Sequence, residues 1–303
     1  MRYLISRASA LAALAVVFSL ATCPGSTLAD DLFVANWGSG TIGQYTTGDA
    51  NVNPSLISLG SAWGIAVSGS DLFVTDGATG TIGEYTTSGA AVNPSLVSGL
   101  QYPLYIAVSG SNLFVVGGYN GTIGQYTISG AVVNASLLSF PDPTGIAVSG
   151  SNLFVVNNDT GTIGEYTTSG ATVNPALISG LNFPSEIAVS GSNLFVANFD
   201  SGTIGEYTTS GATVNASLIS GLDAPEGIAV DGSNLFVANL GTGTVGEYTT
   251  SGAVVNASLI TGLSAPAGIA VVPVAAPEPA SVILVSTGLL GIAGLARRRK
   301  RFV

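Results

Sequence analysis

A Leu-Phe-Val triplet recurs along this chain at an almost fixed interval, and nothing else in the sequence limits its fold so strongly. The triplet begins at Leu32, Leu72, Leu113, Leu153, Leu194 and Leu235, in steps of 40, 41, 40, 41 and 41 residues. A period of that size marks a chain built from one supersecondary unit copied in series, each copy burying its apolar surface against the next. The unit is clearest from Gly145 to Leu181, which reads GIAVSGSNLFVVNNDTGTIGEYTTSGATVNPALISGL. It holds four expected β segments: Gly145–Val148, Leu153–Val156, Thr162–Thr167 and Ala176–Ser179. Gly, Ser, Asn and Asp separate them as in hairpin turns, and links this short make neighbouring strands antiparallel.

Four strands in about 40 residues is the period of a β-propeller blade. The first-strand signature occurs at Gly64–Val67, Tyr105–Val108, Gly145–Val148, Glu186–Val189, Gly227–Val230 and Gly268–Val271. The first Leu-Phe-Val has no such strand before it, and the last signature has no Leu-Phe-Val after it. Pairing Gly268–Val271 with the strand begun at Leu32 closes a ring and leaves no open end. The expected fold is therefore all-β: a six-bladed propeller of four-stranded antiparallel blades, closed between its two ends. An open six-coil solenoid is the alternative, and it leaves the divided unit unexplained. The units resemble the NHL-type and YVTN-type repeats of known propellers through GIAV, LFVAN at Leu194–Asn198 and GTIGEY at Gly202–Tyr207. That resemblance implies the fold and no single function, since such propellers include enzymes, receptors and scaffolds.

Charge narrows the function. All seven basic residues lie at the ends: Arg2, Arg7, Arg297, Arg298, Arg299, Lys300 and Arg301. From Ala8 to Ala296 there is no Lys, Arg or His. Nucleic acid is excluded as a partner, because phosphate binding needs cations. A His/Cys zinc site and a Ser-His or Cys-His nucleophile are excluded from the repeat region as well. The single cysteine, Cys23, forms no disulfide within the chain. No catalytic residue, metal ligand or cofactor is assigned. A Ca²⁺ site of carboxylates and carbonyls stays open, and with it a Ca²⁺-dependent lyase or lactonase.

The two ends read as an address. Residues 1–29 have the form of a signal peptide, with Arg2 and Arg7 ahead of the apolar run Ala10–Leu20 and small residues near Ala29. The propeller is expected over residues 30–271, followed by a linker over 272–279. An apolar, membrane-spanning helix is expected at 280–296 and a basic cytoplasmic tail at 297–303. Pro277-Glu278-Pro279, the apolar run and the basic cluster together resemble the PEP-CTERM sorting signal of Gram-negative bacteria. The resemblance implies a membrane-embedded exosortase as processing partner. It also implies export, transient inner-membrane anchoring, and release to an envelope rich in extracellular polysaccharide.

Two positions recur in every unit and a third in most. The third strand carries Gln44, Glu84, Gln125, Glu165, Glu206 or Glu247, read as a solvated position copied by duplication. Asn36, Asp76, Asn157, Asn198 and Asn239 close second strands and are read as turn formers. Tyr45, Tyr85, Tyr126, Tyr166, Tyr207 and Tyr248 are read as packing between blades.

The turns divide into two sets. Those from first to second strand and from third to fourth are nearly monotonous, SGSN and TSGA. Those from second to third and from fourth to first vary and should share the other face. The variable set carries Trp37, Trp63, Tyr102, Tyr105, Tyr119, Phe183 and Phe199, together with Asp142, Glu186, Asp223 and Glu226. Variable loops on a rigid scaffold are where binding usually sits, and rings beside carboxylates suit a neutral or cationic glycan-like or peptide ligand. Trp37 and Trp63 are the expected anchors and should be neighbours. A secreted binding or scaffold module, bound to extracellular polysaccharide or a surface protein, is the leading reading. A structural matrix protein without a specific ligand is the alternative.

Overall fold

The computed structural model describes residues 30–48 and 51–272, and these form six four-stranded antiparallel sheets with no helix among them. The leader, Pro277-Glu278-Pro279, the apolar segment 280–296 and the basic tail 297–303 lie outside the described residues. Each sheet is one blade. Blade two runs outwards from Ala62–Ser68 through Asp71–Asp76 and Thr81–Thr86 to Ala91–Val97. Blades three to six repeat that order from inner strands Pro103–Ser109, Pro143–Ser149, Pro184–Ser190 and Pro225–Asp231. Blade one is built from both ends of the repeat region: Pro266–Val272 is its inner strand, beside Asp31–Asn36, Thr41–Thr46 and Asn51–Ser58.

Ile269 pairs with Val34, and the pairing continues to Val272 opposite Asp31. The inner strands follow one another around a central channel, with Pro266–Val272 touching the inner strands of both blade six and blade two. The ring is closed in the way the divided unit requires.

Ring packing explains why the second strands read as unbroken apolar runs: each blade lies between two others, so both faces of the strand are covered. Phe33 and Ala35 pack on Ile65, Leu72 and Val74 of blade two. Leu32 and Val34 point the other way, onto Phe236 and Ala238 of blade six. Complete burial of a Leu, Val or Phe side chain is worth about 1.5–3 kcal/mol. Six such interfaces hold a ring whose described residues include no Lys, Arg or His.

The third-strand tyrosines pack between blades as expected, and they account for the glycine two residues earlier. Tyr45 lies back over Gly43, where a Cβ would sit 2.6 Å from the ring. The acidic third-strand position is not simply solvated. Asn152 Nδ2 donates to Glu165 Oε1 at 2.7 Å, and Asn193 and Asn234 donate likewise to Glu206 and Glu247. Glu206 and Glu247 are buried. In blades four to six the asparagine that opens the second strand is their partner, reached diagonally across the sheet.

The outer strands are longer than Ala176–Ser179 suggests. In blade four the strand is Thr172–Ser179, broken by bulges between the pairs Ile163/Ile178 and Glu165/Asn174. The exposed Thr-Val-Asn-Pro segment lacks alternation, so its strand character came from the neighbouring strand and not from its own pattern. The bulges blunt an edge that carries no charge.

Candidate binding face and central channel

The two variable sets of loops do share a face, and backbone hydrogen bonds tie them together blade by blade. Trp37 N–H donates to Ala265 O, Gly118 to Tyr102, Asn158 to Asp142, Phe199 to Phe183 and Leu240 to Ala224, each at 3.0 Å. The extra residue in the longer loops has a conformational role. Gly99, Gly180, Gly221 and Gly262 have positive φ, and so do Tyr102, Phe183, Ala224 and Ala265, at 52°, 53°, 51° and 49°. Each of these last four stands directly before the proline that opens an inner strand. A non-glycine residue held there costs about 1–3 kcal/mol. Tyr102 and Phe183 are thus aimed by a strained backbone.

In blade two the same junction is held by Asp76. Its carboxylate accepts from the N–H groups of Gly60, Ser61 and Ala78 at 3.1, 2.8 and 3.1 Å. Burial pushes its carboxyl up, but the bonds from Gly60, Thr79, Ser61 and Ala78 outweigh that and leave it below the ordinary value. Asp76 is a turn former, as the sequence suggests, whereas the side-chain oxygens of Asn36, Asn157, Asn198 and Asn239 are buried without a hydrogen-bond partner and hold no turn.

On that face Trp37, Trp63, Tyr102 and Tyr119 form a continuous arc across blades one to three. Trp37 meets Trp63 edge-on at 5.4 Å between centroids, Trp63 lies 6.3 Å from Tyr102, and Tyr102 stacks on Tyr119 at 4.6 Å. The two ends of the arc face solvent, Trp37 42% and Tyr119 78% exposed. Phe183 and Phe199 form a separate pair in blade five at 6.1 Å. Asp223 is exposed, while Asp142 is half-buried, its carboxyl raised by burial and by nearby Asp159. Phe140 turns away from the face and packs edge-on against Tyr166 between blades, beside a cleft of about 450 Å³.

The sequence groups Tyr105, Glu186 and Glu226 with the variable turns, although the first two also open first-strand signatures, and the strand placement is the one that holds. They sit on inner strands, where pairing with the second strand slips between Pro103 and Ile106, Pro184 and Ile187, and Pro225 and Gly227. Bulges of this kind re-aim side chains, and here the side chains meet in the channel. Trp63 is likewise a strand residue, within Ala62–Ser68. The Tyr105 hydroxyl reaches Oε1 and the main-chain carbonyl of Glu226, both at 3.1 Å. Blade three and blade six are opposite in the ring, so Tyr105 spans the channel and plugs it.

At the Tyr105 and Glu186 position the other four inner strands have Gly64, Gly145, Gly227 and Gly268. A Cβ on Gly64 would lie 2.6 Å from Leu104 O, and one on Gly145 would lie 2.7 Å from Glu186 Cα. The glycines let adjacent inner strands close up, and the two exceptions fill the space that remains. Side chains also tie neighbouring strands: Ser185 Oγ donates to Pro225 O, Thr144 Oγ1 to Pro184 O and Thr75 Oγ1 to Leu104 O. None of these three stood out in the sequence, because a lone hydroxyl on a strand carries no signal of what it will meet.

The channel therefore sets an aromatic pair, Trp63 and Tyr105, against a carboxyl pair, Glu186 and Glu226, on opposite walls. Burial raises Glu226 to about 7, although its bond from Tyr105 works the other way. Glu186 is raised well above its ordinary range by burial and by Glu226, against the bond it accepts from Ile228 N–H at 2.9 Å. It keeps some accessible surface because it lines a channel, not because it faces bulk water. Tyr105 is driven well above 10.0 by burial and by both carboxylates and stays a donor. The buried Trp63 indole N–H makes no hydrogen bond of ordinary geometry, though it lies near enough to the Tyr105 hydroxyl to favour its anion. Among the described residues no group of three or more His, Cys, Asp or Glu gathers as a metal site.

Fold and site together define a six-bladed β-propeller with a plugged channel and one aromatic face. Solved structures share the propeller fold. A chain of a nidogen/laminin complex matches with a TM-score of 0.71 at 16% identity, over 80% of this chain and 98% of that one. A protein of unknown function from Bacteroides caccae matches at 0.63 and 16% identity, over 80% and 99%. Virginiamycin B lyase from Staphylococcus aureus matches at 0.55 and 18% identity, over 71% and 85%. Likeness at this identity is a likeness of fold. No family model and no curated protein sequence matches the chain.

Proposed function

We propose that this protein is an exported binding module whose ligand lies on the variable-loop face, against Trp37, Trp63, Tyr102 and Tyr119. The continuity of the aromatic arc across three blades carries this reading. Rings held by strained and hydrogen-bonded loops, with their outer ends in solvent, offer apolar area that needs little ordering on binding. Phe183, Phe199, Asp142 and Asp223 extend the face, and the ligand is neutral or cationic because every charged residue of the described surface is an acid. Tyr105, Glu186 and Glu226 contribute from beneath and not by contact. The reading is of a binder and not an enzyme, although one structural neighbour is a lyase and another belongs to a protein complex.

The Arg2/Arg7 leader and the Pro277-Glu278-Pro279 tail support export from a Gram-negative cell, exosortase processing and a place in the extracellular polysaccharide or envelope matrix. Retention on extracellular polysaccharide from the host tests the face. Trp37→Ala and Trp63→Ala should each weaken retention by about 2 kcal/mol or more. Ser169→Ala, in a hairpin on the opposite face, should leave it unchanged. Equal retention by all three would favour the structural matrix reading, which draws on the exposed, uncharged outer strands with Val132, Val173 and Val254.

A further inference from the structure

The aromatic face is supported by the channel cluster directly below it. Trp63 touches Trp37 and Tyr102 in the arc, and it also packs on the cluster that contains Tyr105. Gly64, the next residue, is so close to blade three that an added Cβ would lie 2.9 Å from Tyr105 Cα. Tyr105 is 1% exposed and anchored on the far wall by Glu226. Trp63 therefore rests on a side chain whose position is fixed from the opposite blade.

We propose that Tyr105 is the positioning residue of the aromatic face, latched across the channel by Glu226, and that proton loss from the carboxyl pair releases the latch. The proposal rests on the binding role given to that face above.

The titratable groups facing the latch are few. Blade three supplies Tyr105, blade five Glu186 and blade six Glu226. The corresponding inner-strand residues of blades one, two and four are Ala267 and Gly268, Trp63 and Gly64, and Thr144 and Gly145, none of which titrates. No Lys, Arg or His occurs in the ring to neutralise a carboxylate. The hydroxyl of Tyr105 favours the ionised Glu226, but burial outweighs it. A second charge on the adjacent Glu186 adds repulsion. An unpaired buried charge is relieved by hydration, and fuller hydration of Glu226 requires the Tyr105 hydroxyl to leave its carboxylate and carbonyl.

The chain contains its own reporter. Its only two tryptophans are Trp37 and Trp63, in contact with each other and with the latch. Tryptophan emission of the full chain should shift to longer wavelength as pH rises through neutrality, with far-UV circular dichroism unchanged. Glu226→Gln keeps an acceptor for Tyr105 and should hold the emission at its acidic-side position throughout. Glu186→Gln leaves Glu226 to titrate by itself and should keep the wild-type midpoint, because burial and not Glu186 raises Glu226. Tyr105→Phe should be red-shifted already in acid.

Emission that stays flat in the wild type, shifts to shorter wavelength, or titrates identically in Glu226→Gln and Glu186→Gln would overturn the latch. Retention on host polysaccharide should fall with the same midpoint as the emission. An emission transition without any retention would defeat the binding reading and leave the latch standing. Retention with flat emission would do the reverse.

Discussion

Tyr105 and Glu226 belong to opposite blades, yet the tyrosine hydroxyl lies 3.1 Å from both the carboxylate and the main-chain carbonyl of the glutamate. This contact closes the propeller channel and places two carboxyl groups where no cation answers them. The stability of the protein should reflect it.

Stability should fall as pH rises. Glu226 moves from an ordinary 4.5 to about 7 on folding, so between those values the folded chain holds a proton that the unfolded chain has released. The associated stability is complete below pH 4.5 and is lost as pH rises through about 7. The difference is about 3 kcal/mol for Glu226 alone, and Glu186 acts in the same direction. Thermal melts should show a higher midpoint in mildly acidic than in mildly alkaline buffer, and Glu226→Gln should reduce the dependence. A midpoint that climbs with pH would contradict this.

Blade two should be improvable at one position. Asn152, Asn193 and Asn234 each donate to the third-strand glutamate of their blade. Blade two has Asp71 there instead, and Glu84 is raised by burial and by that aspartate's charge. Asp71→Asn replaces a repulsion with a hydrogen bond and should stabilise by about 1 kcal/mol. Urea unfolding at neutral pH reads this, and a lower midpoint in the variant would refute it.

The inner glycines should resist even one added carbon. A Cβ on Gly145 would stand 2.7 Å from Glu186 Cα and 2.8 Å from Ser185 O, both on the neighbouring blade. Gly145→Ala should destabilise by about 1–3 kcal/mol. An unchanged urea midpoint would mean that the inner strands part freely.

Closure should be essential to folding. Deleting Gly268–Val271 removes the partners of Leu32, Phe33 and Val34 and opens an apolar strand edge. Loss of the buried Ile269 side chain by itself should cost about 2–5 kcal/mol. The deletion should aggregate, or unfold at much lower urea than its parent. Unfolding at the same denaturant concentration as the parent would argue against a closed ring.

The repeat by itself determined the architecture. Its period set the blade, and the unpaired halves at Leu32 and Gly268 set the number of blades and the closure, because hydrophobic patterning and turn chemistry are local properties of the chain. The same locality placed Trp37 beside Trp63, since they belong to adjacent copies, Trp37 in a loop and Trp63 at the start of an inner strand. What the sequence could not show is which residues meet across the ring. In sequence Tyr105, Glu186 and Glu226 group with the variable turns, the first two at the very start of a strand signature, and the one-residue slip in strand pairing that re-aims them is invisible without the partner strand. The bulges, the close inner glycines and the six-fold geometry turned them into the channel instead. Tyr105 and Glu226 stand 121 residues apart, and only closure of the ring brings them within hydrogen-bond distance.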